Sequence, residues 1–141
     1  MEPPESSLEI AFAQDRVIGC GPLGGLQAGL AATATPFAFV CGGDMPSLSG
    51  PLLDLLADRV RQGWALVPVR RGRPEPLHAI YPVSSLPEVE RALGEGIRMM
   101  LHLIERIPVD YIREEVFRDL EGAERSFDNI NTFEDLRRHS A

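Results

Sequence analysis

The 141-residue chain has no lysine: all 14 of its basic residues are arginine. It therefore has no compact ammonium donor, and any cationic duty falls to the planar guanidinium fork. Positive charge is scarce as well, with 21 acidic residues, a net charge of −7 and a pI near 4.9. That balance argues against DNA and anionic membranes as main partners, because both are polyanions. There are only two cysteines, Cys20 and Cys41, without metal-type spacing. Two are too few for a disulfide scaffold, so reduced, mostly buried thiols in a cytoplasmic protein are expected. No apolar run approaches the ~20 residues of a membrane span. The acidic start, Met1–Ser7, does not read as a signal peptide and is expected to be disordered. No Ser-His-Asp or Cys-His arrangement is visible. Gly19, Gly21, Gly24 and Gly25 depart from the G-x-G-x-x-G phosphate cradle, so a tight turn with close helix packing is the better reading of them.

What is present is ordinary globular material, 44% hydrophobic and 25% charged, which at this length suits one domain over residues 8–141. Its organising stretch is Phe37–Ser49. An unbroken apolar run, Phe37–Cys41, ends in Gly42, Gly43 and Asp44 and then in a polar helix start. Such a run reads as a buried strand, and ligands of open α/β sheets bind just outside the carboxyl ends of their strands. A carboxylate at that point can hold a divalent metal beside a phosphate chain; capping a turn or the next helix is the plainer role for Asp44.

Around this stretch the pattern predicts a short strand at Leu8–Gln14 and helices at Pro22–Ala32 and Pro51–Gln62. The second of these is capped by Ser49 and closed by Gly63. Strands follow at Ala65–Val69 and at Leu77–Tyr81, the latter returning from the loop Arg70–Pro74. Helices at Leu86–Leu93 and Ile97–Arg106, an edge strand at Val109–Ile112 and a charged short helix or loop over 113–125 come next. Thr132 and Asp135 form a capping box in the wider sense before a last helix, Phe133–His139. Alternation of strand and helix predicts an α/β layered fold with a largely parallel sheet. Met99 and Met100 read as core, His102 and His139 as surface, and His78, in a strand pattern, more readily as a packed histidine than as a ligand. For Arg70, Arg71 and Arg73 a solvated loop competes with contact to a phosphate, which suits arginine's fork.

Four segments, in order and in register, carry a resemblance: Gly21-Pro-Leu-Gly-Gly-Leu26, Cys41-Gly-Gly-Asp-Met-Pro46, Arg73-Pro-Glu-Pro-Leu-His-Ala-Ile-Tyr81 and Asn129-Ile-Asn-Thr-Phe-Glu-Asp-Leu136. Together they resemble the molybdenum cofactor guanylyltransferases, MobA-like nucleotidyltransferases, over roughly residues 8–140. The resemblance implies a Rossmann-like three-layer sandwich of the nucleotide-diphospho-sugar transferase type. It also implies transfer of GMP from GTP to molybdopterin with release of pyrophosphate. Asp44 matches the family's magnesium-binding, catalytic aspartate, with Asn131 beside the metal. Asp15 and the turn Gly21, Pro22 and Leu23 fall on the nucleotide side. Arg73, Pro76, His78, Arg98, Asn129 and Asn131 fall on the acceptor side. Implied besides Mg2+, GTP and molybdopterin are partner proteins of cofactor biosynthesis.

One departure stands out. Family members begin with a strand and a loop of the form Leu-Ala-Gly-Gly-x-Ser-x-Arg-Met-Gly-x-Asp-Lys that grips the triphosphate. This sequence has no such loop. Judged against the family, the first strand-helix-strand-helix portion is expected to be absent. The Phe37–Cys41 strand is then expected to have an open edge, with Leu8–Gln14 either moving in to pair with it or poorly ordered. Besides the transferase, two alternatives follow: an inactive remnant or binding module that docks to a biosynthetic partner, and a related nucleotidyltransferase that uses another nucleoside triphosphate.

Overall fold

The computed structural model describes residues 21–42, 45 and 47–128. Helix α1 spans Gly21–Ala32 with Pro22 in its first turn, and its Leu23, Leu26 and Leu30 are buried on one side. Strand β1 follows at Phe37–Cys41, as the apolar run predicts. Helix α2, Gly50–Asp58, is capped as expected: the Ser49 side chain accepts the Leu52 N–H. It ends four residues before the expected Gln62. Arg59 N–H closes back on the Leu56 carbonyl, and Trp64 N–H bonds the Arg61 carbonyl in a following turn. That turn brings Arg61 over the Trp64 ring, 3.8 Å from its centroid, and into a two-pronged ion pair with Asp110 at 2.7 and 3.1 Å.

Strand β2, Ala65–Arg70, turns tightly into the two-residue strand β3, Arg73–Pro74. Arg71 and Gly72 at this turn both have positive φ, 55° and 75°. A two-residue hairpin turn with both φ positive matches the twist of its strands. Glycine adopts that conformation freely and arginine does not, and the Arg71 N–H is held by Glu114 Oε1 at 3.1 Å. The loop expected at Arg70–Pro74 is thus a hairpin tip. Strand β4, His78–Pro82, returns, and a 3-10 turn at Val83–Ser85 leads into α3, Leu86–Gly94.

Helix α4 covers only Met100–Ile104. The expected Ile97 start fails because Ile97 N–H turns back to the Ala92 carbonyl and Met99 is extended, with φ −92° and ψ 133°. Strand β5, Val109–Ile112, has the expected bounds. The charged stretch after it forms α5, Glu114–Phe117, and a 3-10 turn at Arg125–Phe127. The Leu8–Gln14 strand, its pairing or disorder, the Thr132–Asp135 capping box and the Phe133–His139 helix lie outside the described residues.

The sheet is mixed rather than largely parallel. β4 lies between β1 and β2 and is antiparallel to both, with Phe37 opposite Pro82, Cys41 opposite His78, and Leu66 opposite Ile80. β5 pairs in parallel with the other side of β2, Ala65 opposite Val109. β1, β2 and β5 therefore point the same way, and the returning strands β3 and β4 run against them. Side chains alternate across each strand. On one face Ala65, Val67, Ala79 and Tyr81 meet α1, α3 and α4; on the other Leu66, Ile80 and Ile112 meet α2, α5 and Phe127. The result is the expected three-layer α/β sandwich. No helix among the described residues is long and apolar enough to cross a membrane.

Candidate active site

The shared direction of β1, β2 and β5 brings their carboxyl ends to one edge of the sheet. There the start of β4 meets the end of β1: Gly42 N–H donates to the Leu77 carbonyl at 3.1 Å. Cys41 lies at this edge. It is exposed, not buried as expected, and the burial that remains raises its thiol pKa.

Beside this edge an apolar pocket of about 300 Å³ is lined by Pro22, Pro76, Leu77, Arg98, Met99, Met100 and Leu101. Three separate segments build it: the start of α1, the approach to β4, and the extended stretch before α4. The first and third pack closely, since a Cβ on Gly21 would stand 3.8 Å from the Arg98 carbonyl oxygen. The pocket thus joins Pro22, expected on the nucleotide side, to Pro76 and Arg98, expected on the acceptor side. Tyr81, fully buried, fixes its lip by donating its hydroxyl to the Pro76 carbonyl at 2.6 Å. Burial pushes the Tyr81 pKa far up, so the phenol stays protonated.

Met100 is core, as expected, but Met99 is 53% exposed and Leu101 42% exposed at this pocket. Helical periodicity concealed Met99, because it assumes a helix where the chain is extended, while Leu101 lies in the first turn of α4. Leu23, placed by the resemblance on the nucleotide side, is fully buried in the core beneath α1. Arg73 is exposed on β3, paired with Arg70 across the hairpin.

His78 is placed differently from an acceptor contact. Its ring has 0% exposure and stacks on Phe127 at 4.2 Å between centroids, with the Phe39 ring edge-on at 5.2 Å. The Arg70 guanidinium lies 5.1 Å over the other partner in this stack, Phe127, while Arg70 Nε stands 3.5 Å from Glu75. His78 Nε2 is 2.6 Å from Ser126 Oγ, which already accepts the Ser49 N–H at 2.9 Å. A neutral ring makes this bond either by accepting at Nε2, with its hydrogen on Nδ1, or by donating from Nε2; Nδ1 is buried without a partner. Neutrality is enforced: burial, opposed by the residue's own backbone and helped by the Arg70 charge, lowers the His78 pKa to about 4.

Asp15, Asp44, Asn129 and Asn131 lie outside the described residues. Among the described residues no group of three or more His, Cys, Asp or Glu side chains could hold a metal ion. The described part of the edge is therefore an apolar pocket with Arg98 among its lining residues, and supplies no metal site by itself. Ser126 was invisible to sequence reasoning, since nothing local marks a serine whose partners are 48 and 77 positions away.

Comparison with known proteins gives this edge a context. Residues 2–110 match the family model of the MobA-like NTP transferase domain. A probable molybdenum cofactor guanylyltransferase of Methanosarcina mazei is 37% identical over 130 residues, covering 91% of this chain and 58% of that protein. A namesake from Natronomonas pharaonis is 35% identical over 135 residues, covering 93% and 65%. The crystal structure of molybdopterin-guanine dinucleotide biosynthesis protein A from Archaeoglobus fulgidus superposes with a TM-score of 0.71 at 35% identity, covering 84% of this chain and 60% of that one. A 17% identical protein of Aquifex aeolicus, also at TM-score 0.71, shares the fold. This chain spans 58% of the length of the Methanosarcina relative.

Proposed function

Because the chain belongs to the MobA-like NTP transferase family, we propose that it takes part in molybdenum cofactor biosynthesis by transferring GMP from GTP to molybdopterin. The observation that carries this reading is the pocket at the carboxyl edge, where Pro22, Pro76 and Arg98 come together from three segments. Its apolar walls suit the face of a fused heteroaromatic ring, and arginine suits a phosphate. Arg73 and Arg98 serve the acceptor from the described residues; Asn129 and Asn131 complete that side, and Asp15 contacts the nucleotide.

In the reaction an oxygen of the acceptor's phosphate attacks the α-phosphorus of GTP in line. The bond from that phosphorus to the bridging oxygen breaks, and pyrophosphate leaves. The attacking oxygen is already ionised, so no general base is required; alignment and charge stabilisation carry the catalysis. Magnesium, assigned to Asp44 and Asn131, would offset phosphate charge when bound. The apolar pocket wall packs against the acceptor ring, and the Tyr81–Pro76 bond keeps that wall in place.

The test is a thermal-shift titration of the chain with GTP, CTP and ATP, each with Mg2+, followed by radiolabelled GTP with molybdopterin. A ligand at 100 times its Kd stabilises a protein by about 2.7 kcal/mol, so GTP should raise Tm measurably and CTP should not. Labelled GMP should then appear on the pterin. A shift with CTP or ATP alone would assign another nucleotide. No shift with any of the three at millimolar concentration would sink the transferase reading for this chain.

A further inference from the structure

The hairpin between β2 and β3 breaks two local rules at once. Its tip, Arg71-Gly72, is a two-residue turn with both φ positive, 55° and 75°. Asn, Asp or Gly is the usual residue at the first of those places, and an arginine there carries backbone strain. Directly behind the turn Arg70 stands opposite Arg73, and like charges that face each other across a ladder repel. Arg70 is answered from within the molecule, by Glu75 at 3.5 Å and by the Phe127 ring. Arg71 and Arg73 are not. Both are exposed, and their side chains make no hydrogen bond or ion pair among the described residues.

The strained turn is nonetheless held in place. Glu114, at the start of α5, accepts the Arg71 N–H. That bond sets the tip against the end of β5, where Arg113 is exposed and also without a side-chain partner among the described residues. Arg71, Arg73 and Arg113 thus gather at one corner of a chain whose net charge is −7. Glu75 and Glu114 are engaged with the hairpin itself, and Glu115 is exposed beside Arg113. A strained, self-repelling tip, where Asn-Gly would be relaxed, gives up stability for a feature of the surface.

The shape of the corner selects what it can hold. A hairpin tip is convex, whereas small ligands are taken into concave pockets. Its free charge is guanidinium, which pairs with carboxylates in a two-pronged way. A nucleic acid is charged along its whole length and would meet the negative field of the chain beyond this corner; a short acidic segment need not. We propose that Arg71 and Arg113, with Arg73 beside them, form a docking point for a short carboxylate-rich segment of a partner protein. Arg73 is also assigned to the acceptor above, but the docking point depends neither on it nor on the transferase reading.

The test titrates fluorescein-labelled octaglutamate with the chain and reads fluorescence anisotropy. The parent should bind at low salt and more weakly as salt rises. Arg71→Asn combined with Arg113→Gln should weaken binding at least about tenfold. Arg59→Gln combined with Arg91→Gln removes the same charge from exposed positions elsewhere and should leave binding within about twofold. Arg71→Asn alone should raise Tm by about 2–4 °C, because it relieves the turn; the loss of binding is then not a loss of folding. A fall in Tm would deny the strain on which the proposal stands. No binding of octaglutamate by the parent, or equal weakening by the two pairs of substitutions, would overturn the docking point. Tighter binding of an oligouridylate would give the corner to nucleic acid instead. Self-association in sedimentation that the Arg71→Asn and Arg113→Gln pair abolishes would give it to a second copy of this chain, against the proposal.

Discussion

The two faces of the sheet are held by different means. Beneath α1, α3 and α4 the core is Leu23, Leu26, Leu30, Val67, Tyr81, Val89, Leu103 and their neighbours. Beneath α2 and α5 the core is Leu52, Leu56, Phe117 and Phe127, and into it are set His78, Ser49 and Ser126. The first face is stabilised by area removed from water, which is non-directional and tolerant of small shifts. The second adds hydrogen bonds with one geometry each. A domain can thus separate the packing that makes it fold from the polar bonds that fix the register of its elements.

Breaking the comparison starts with cavities, where the faces should behave alike. Leu103→Ala on the aliphatic face and Leu56→Ala on the other remove fully buried side chains. Each should cost about 2–5 kcal/mol in urea unfolding. A difference of several kcal/mol between them would mean that one face carries the fold alone.

Acid should then separate them. His78 has a folded pKa of about 4 against an ordinary value of 6.5. Above pH 6.5 the ring is neutral in both states, and its buried contacts are intact. Between about 6.5 and 4 only the unfolded chain binds the proton, so stability falls as pH falls. The loss, complete below the folded pKa, is on the order of 3 kcal/mol. His78→Gln should lack this component, which unfolding curves at pH 7, 5.5 and 4 would reveal. An unchanged pH slope in that variant would place the acid sensitivity elsewhere.

The smallest effect should come from outside both cores. Arg61 pairs with Asp110 and lies over Trp64 in an exposed position. Arg61→Ala should cost about 0.5–1 kcal/mol, and less as salt rises. A loss as large as that of a core cavity would show that this corner shares in the cooperative unit.

How much of this was legible in the sequence follows the same division. The strands Phe37–Cys41 and Val109–Ile112 were readable to the residue, because apolar runs and turns bound them. The aliphatic face was readable from helical spacing in α1, and the Ser49 cap from its place before an apolar helix. The stretch at Ile97–Met99 was not, since a tertiary turn onto Ala92 overrides a sound helical pattern. That error hid the lining of the pocket, although Pro22, Pro76 and Arg98 had been named from the resemblance. The position of His78 in a strand was plain, and so was the likelihood that it packs. Its partner was not, because a bond between β4 and a turn 48 residues on leaves no local trace.

The span of the Ser49–Ser126 bond has a consequence in time. The two residues are 77 positions apart, and closing so long a loop costs entropy that local contacts do not. Helix α2 can pair its own backbone as soon as it leaves the ribosome, but its docking at Ser49 must await the last turns of the described chain. The aliphatic face joins α1 to α3 and α4 over a comparable span, but it is complete once the chain has reached Val109. The corner around Ser49 and Ser126 is thus among the last parts of the molecule to be finished.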